Sequence, residues 1–354
     1  MCGIAGLFRL AGVDPTPVES MTRALAHRGP DGEEICEVRD SSGRSIAAVG
    51  VRRLAIVDPS GGSQPVWDES EEVLVAFNGE VYNHRRLRTE LEGGGRRLKS
   101  TCDSEVVANL VASAGLSTAL GRMKGMFAAA VIEPRRGRCT LVRDRMGVKP
   151  LYWAQLDDGT LLWASEPRSL LLHPEIRAEQ DRRALQAFLL FEYIPTPWSA
   201  WAGIHKLEPG CMVISDAEGT RTQRWWTPPI PEAGGGGSLL RWSESLMAAL
   251  RVATHQRMEA DVPVGYLLSG GLDSSTIAAL ASARSESPIS TFSVSVQAPG
   301  FDEADSARLM ARHIGAEHHE LSFGPEDLSR ILPLLVEHMD EPLADSSLVP
   351  TWRL

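Results

Sequence analysis

The chain holds 354 residues, 43% hydrophobic and 23% charged, enough to bury one sizeable core and more readily two. Its net charge of −10 is spread along the chain without a basic stripe, which argues against nucleic acid or an anionic membrane as the partner. Five cysteines without CxxC spacing disfavour a disulfide framework or zinc knuckle, and neither a run of roughly 18 apolar residues nor a signal-peptide pattern occurs, so a reducing cytoplasm is the expected compartment.

In chain order, short β-like runs alternate with turn signals at residues 2–8, 52–58, 72–79, 127–133, 139–144, 160–166 and 210–215. Helical patterns lie between them at 103–115 and 182–190. Many antiparallel strands with a few flanking helices predict an α+β sandwich, the helices outside paired sheets. "TPPIPEAGGGGS", Thr227 to Ser238, combines prolines with a glycine run and reads as a linker. Beyond it come a helix over 238–258, a buried-strand run at 262–268, a helix at 275–283, a strand at 289–296, a helix at 302–316 and a strand at 317–323. Strands alternating with helices predict a parallel, doubly wound α/β sheet. His318 and His319 are adjacent in the last strand, so they point to opposite faces and read as structural.

Two stretches carry chemistry. "SGGLDSS", residues 269–275, sits where a buried strand gives way to a helix. Gly270 and Gly271 allow a sharp turn and close approach of a ligand. Ser269, Ser274 and Ser275, with the free N–H groups of the helix start, make a nest for an anion. Asp273 would repel a phosphate there unless a divalent cation lay between them, which suits Mg²⁺ bridging a carboxylate and a pyrophosphate. The other stretch is the start of the chain, where Cys2 follows Met1. Removing Met1 leaves Cys2 a free α-amine with a pKa of about 7.7–8.0, able to act as general base for the thiol of the same residue.

"SGGLDSS" resembles the pyrophosphate loop of ATP pyrophosphatases. The resemblance implies that Ser269, Gly270, Gly271, Asp273, Ser274 and Ser275 hold the pyrophosphate of ATP, with Asp273 as the magnesium ligand. It places Leu268 and Val294 near the adenine. "MCGIAGLF", with "AHRGPDG", "RRLAIVD", "FNGEVYNH", "TCDSE", "KGMFAAAVIE" and "RDRMGVKPLYW", resembles the N-terminal-nucleophile glutaminase domain. In this order the two domains are similar to the glutamine-hydrolysing asparagine synthetase family. That resemblance implies Cys2 as nucleophile and Asn78 with Gly79 as the oxyanion hole. It implies Arg53 on the α-carboxylate of glutamine, Ile56 and Val57 lining its pocket, Glu80 and Asp103 on its α-ammonium, and residues 27–32 covering it.

The fold so implied is an αββα-layered glutaminase domain over 2–227, a linker over 228–238, and the first part of an ATP-pyrophosphatase domain over 239–354. "DEPLADSSLVPT", from Asp340, resembles an acceptor-site segment, with Asp345 and Ser346 as site residues and Asp340, Glu341 and Ser347 beside them. The implied substrates are glutamine, aspartate and ATP with Mg²⁺, with a homodimer as one assembly open to such a chain. Members of the family continue past the point matching Leu354 with a second magnesium-binding loop and a lysine-bearing helical region. The 354 residues alone are therefore expected to hydrolyse glutamine and to form negligible asparagine. Two alternatives stay open: another carboxylate acceptor in natural-product or polysaccharide biosynthesis, and a fragment active only as a glutaminase.

Overall fold

Strand Gly3–Phe8 is buried along its whole length and pairs antiparallel on both sides, with Ser45–Arg53 and with Leu161–Ala164. The computed structural model to which it belongs describes residues 1–230, 237–296 and 303–354; residues 231–236 of the predicted linker and residue 302 of a predicted helix lie outside the described residues. The chain forms two compact units, one of residues 1–229 with Asp340–Leu343 and one of residues 230–339 with 344–354.

The first unit contains two six-stranded antiparallel sheets. One runs His205–Lys206, Tyr152–Gln155, Leu161–Ala164, Gly3–Phe8, Ser45–Arg53, Gly32–Arg39. The other runs Gly219–Arg224, Cys211–Asp216, Arg138–Arg143, Gly125–Glu133, Leu74–Val81, Val66–Trp67. Side-chain alternation along each strand builds the layers. Ile4 and Phe8 join Leu74, Ala76, Ala128, Leu141 and Trp163 in the core between the sheets. Ala5 and Leu7 turn the other way, against Val18 and Met21 of helix Pro17–Arg23 and Leu170 of helix Pro167–Leu170. On the outer face of the second sheet, Val75, Phe77 and Phe127 meet Leu87 of helix His84–Gly93 and Val106 and Leu110 of helix Asp103–Ala114. The result is an αββα sandwich, in which both faces of the central strands are covered and runs such as "GIAGLF" are apolar throughout.

The predicted strand over 52–58 ends at Arg53. From Leu54 onward the chain leaves the ladder, because the guanidinium of Arg53 gathers the carbonyls of Val57, Asp58 and Pro59 and curls the segment over the sheet end. Asp340 and Glu341 also differ from expectation. They are held within the first unit, Asp340 Oδ1 by Arg168 Nε at 2.5 Å and Glu341 by Lys206 Nζ at 2.5 Å, with Ala200 N donating to Glu341 Oε1 at 3.0 Å.

The second unit is built on a parallel three-stranded sheet, Gly265–Leu267, Ser290–Val296, Glu317–Phe323. Alanines supply much of its core: Ala278, Ala281, Ala307 and Ala311 pack with Leu268 and Ile289, small side chains that let helices Leu272–Ser282 and Ala304–Ile314 lie close to the strands. The run at 262–268 is not the buried strand expected. Only Gly265–Leu267 is strand, and with a neighbour on one side alone among the described residues it leaves Leu267 62% exposed. His318 meets Thr291 Oγ1 through Nδ1 at 2.9 Å and Ser293 Oγ through Nε2 at 3.2 Å, while His319 stacks on Phe292.

Candidate active site

Cys2, one residue ahead of strand Gly3–Phe8, extends the face on which Ile4 lies, and Ala76, Asn78 and Glu80 share one face of strand Leu74–Val81 by the two-residue period. Both faces are apolar in the core between the sheets, and both turn polar at the same end. There a small cleft opens, lined by Cys2, Arg53, Ile56, Val57, Asn78, Gly79, Glu80 and Asp103. All eight predicted glutaminase residues thus meet in one place, although they come from segments up to a hundred residues apart. Met1, Leu54, Gln64, Cys102, Met126 and Lys149 complete the lining.

Cys2 is 9% exposed, and burial pushes its thiol up. Leu54 N donates to Cys2 Sγ at 3.4 Å, and this backbone bond pulls the thiol the other way. Asn78 is fully buried, yet among the described residues neither its Nδ2 nor its Oδ1 has a hydrogen-bond partner. Such orphans cost about 1–3 kcal/mol each, so an amide kept in this state points to a ligand. Gly79 stands where strands approach too closely for a side chain: a Cβ would lie 2.2 Å from Met126 O and 2.6 Å from Phe127 Cα. Arg53 lines the cleft with its guanidinium partly engaged by the loop carbonyls named above.

Asp103 opens helix Asp103–Ala114 and accepts from Val81 N at 2.8 Å. It is 4% exposed, and burial raises its carboxyl. Burial first, and then the charge of Asp103, push Glu80 up to about 8. Lys149 is pulled down by its own burial. Two acidic groups are thus held above their ordinary range in one cleft, and the charge of Lys149 offsets part of the rise at Glu80.

A measurable pH dependence follows. Glu80 moves from 4.5 in the unfolded chain to about 8 in the fold, so folding favours its protonated form. Its stabilising contribution is complete below the unfolded value and is lost as pH rises through the folded one. Glu80→Gln is therefore expected to raise the Tm at about pH 9 and to leave it near the parent's at about pH 4. Thermal melts at both pH values check this, and a Tm difference that is the same at both would contradict it.

In the second unit the loop 269–275 closes on itself: Ser269 Oγ and Ser274 Oγ lie 3.0 Å apart, and Gly271 N donates to Ser269 Oγ at 3.3 Å. Gly270 has φ +80°, and a Cβ there would lie 2.5 Å from Ala307 N. Asp273 and Ser274 fall in the first turn of helix Leu272–Ser282, with Ser275 next. A cleft is lined by Leu268, Ser269, Phe292, Val294, Ser347 and Thr351, among others. Gly270, Gly271, Asp273, Ser274 and Ser275 do not line it, nor do Asp345 and Ser346. Asp345 is exposed and accepts from Ser347 N at 2.8 Å. Among the described residues no group of three metal-ligating side chains occurs, and no helix is long and apolar enough to cross a membrane.

Comparison with known proteins follows this division. The glutamine amidotransferase domain family matches residues 1–226, and the asparagine synthase family matches residues 245–354. The chain is 32% identical to asparagine synthetase [glutamine-hydrolyzing] 1 of Bacillus subtilis (strain 168), over 99% of this chain and 55% of that protein. It is 28% identical to putative asparagine synthetase [glutamine-hydrolyzing] 2 of Methanocaldococcus jannaschii, over 100% of this chain and 71% of that protein. It thus spans about half the length of the Bacillus relative. Among solved structures, the allosteric regulatory enzyme of purine biosynthesis matches with a TM-score of 0.50 at 17% identity, covering 91% of this chain and 80% of that one, a likeness of fold. With its matched residues 1–226 carrying the cleft around Cys2, the chain belongs to the glutamine amidotransferase domain family.

Proposed function

We propose that this chain hydrolyses glutamine at Cys2 and supplies the ammonia for ATP-dependent amidation of aspartate, giving asparagine, AMP and pyrophosphate. One observation carries the reading: Cys2 shares a cleft with the unpartnered amide of Asn78 and with the Glu80–Asp103 pair. After Met1 is removed, the α-amine of Cys2 takes the thiol proton, and Sγ attacks the side-chain amide carbon of glutamine. Negative charge develops on the amide oxygen, where Asn78 Nδ2 and Gly79 N donate. The C–N bond breaks, the amine returns the proton to the leaving nitrogen, and ammonia departs. Water then cleaves the thioester, giving glutamate and the free thiol. Glu80 and Asp103 take the substrate's ammonium, and Arg53 its carboxylate.

In the second unit, the loop 269–275 would hold the pyrophosphate of ATP, with Leu268 and Val294 beside the adenine. A magnesium ion entering with ATP would be held by Asp273 and the nucleotide's phosphate oxygens, and would offset the repulsion between that carboxylate and the pyrophosphate. Asp273→Asn is expected to weaken binding of ATP with magnesium by about tenfold or more, the loss of a charge-assisted contact, while glutamine hydrolysis stays unchanged. Titration calorimetry reads the first effect, and equal affinities would remove Asp273 from the site. The function itself is tested by amino-acid analysis of protein incubated with glutamine alone, where glutamate and ammonia should form without ATP. Adding ATP, magnesium and aspartate tests the acceptor, and asparagine formed with AMP at ordinary turnover would overturn the expectation that these residues alone form negligible asparagine. ATP cleavage to AMP that ignores aspartate and responds to another carboxylate would move the assignment to that acid.

A further inference from the structure

Once Met1 is gone, Cys2 is joined to the molecule by a single peptide bond, and chain ends fray unless tied down. Its own strand holds it weakly, because the ladder begins at Gly3, opposite Arg52. Two residues just beyond the neighbouring strand Leu161–Ala164 supply the grip. Ser165 brackets Ile4: its Oγ accepts from Ile4 N at 3.0 Å, and its N donates to Ile4 O at 2.8 Å. Glu166 acts one step nearer the chain end. Its Oε1 accepts from Arg28 Nη1 at 2.7 Å and lies 2.9 Å from His27 Nε2. Arg28 Nε in turn donates to the carbonyl oxygen of Cys2 at 3.1 Å. On the other side, Arg168 Nε lies 3.6 Å from Glu166 Oε2.

The Arg28 and Glu166 side chains are 10% and 12% exposed, so their charges are poorly screened and removing Glu166 leaves the Arg28 guanidinium without its carboxylate. Neither residue lines the cleft. With the Cys2 carbonyl held by Arg28, the backbone torsion beside it is set. With Sγ held by Leu54 N, the side-chain torsion is set as well.

We propose that Glu166 is a positioning residue for glutamine hydrolysis: through Arg28 it fixes the Cys2 carbonyl, and so the direction in which the thiol and amine of that residue point. This rests on the reading of Cys2 as the nucleophile. In Met1-trimmed protein, Glu166→Gln should lower kcat for glutamine hydrolysis by about ten- to a hundredfold, the scale of a small misplacement of reacting groups, with KM within about twofold. Amide hydrogen exchange should rise over residues 2–6. Glu166→Asp, which keeps the charge, should recover part of kcat, and it takes over the test if the glutamine variant does not fold. A parental kcat in Glu166→Gln, or a raised KM at unchanged kcat, overturns the proposal. If the parent itself fails to hydrolyse glutamine, the functional reading falls. The exchange comparison then decides alone, and unchanged protection over residues 2–6 overturns the clamp.

Discussion

Cys2→Ala is expected to lower glutamine hydrolysis by about 10⁴-fold or more, the scale seen when a nucleophile that works as a unit with its base is removed. Burial already raises the thiol, so at neutral pH little thiolate stands ready, and attack depends on the adjacent amine taking the proton as the bond forms. Alanine leaves the amine with nothing to activate. The fold should survive, because Cys2 lies ahead of the first ladder pair and its sulfur contributes two long, weak bonds to the backbone of Leu54. Ammonia release measured beside a thermal melt separates the two effects. An alanine variant with ordinary turnover would remove Cys2 from the chemistry altogether.

Asn78→Ala should produce the second largest loss, about 10²–10³-fold in kcat, as for removal of one oxyanion donor. Its effect on stability should run in the opposite direction from most buried substitutions. The amide is fully buried with both polar atoms unpaired, so deleting it relieves an unmet cost of about 1–3 kcal/mol for each atom. A Tm equal to or above the parent's, together with the collapse in kcat, identifies a group kept for substrate. A lower Tm with kcat preserved would make Asn78 an ordinary packing residue.

Regular elements were legible where local pattern dictates them. The helical pattern at 182–190 is helix Arg182–Phe191, its start held by Asp181, whose carboxylate accepts from the N–H groups of Arg183 and Ala184. Strand Leu74–Val81 shows its apolar run and then its turn to polar residues at Asn78. Leu54 was not legible as a site residue, since its link to Cys2 spans fifty-two positions and uses only its backbone N–H and carbonyl. Lys149, Gln64 and Met126 were missed for a related reason. Each reaches the cleft from a different strand end or loop, and no spacing in the chain connects them. Asp340 and Glu341 read as acceptor-site neighbours from their motif, yet their charges are answered by Arg168 and Lys206, pairings set by tertiary structure.

Met1 lines the cleft around Cys2 and is 52% exposed. Under the proposed mechanism, the freshly translated polypeptide is a one-residue zymogen: its intended base is tied up in an amide bond, and a methionine side chain stands beside the substrate's berth. Activity then scales with trimming rather than with expression. An affinity tag fused ahead of Met1 would hold every molecule in the dormant form, and specific activity across preparations should track the trimmed fraction read by intact mass spectrometry.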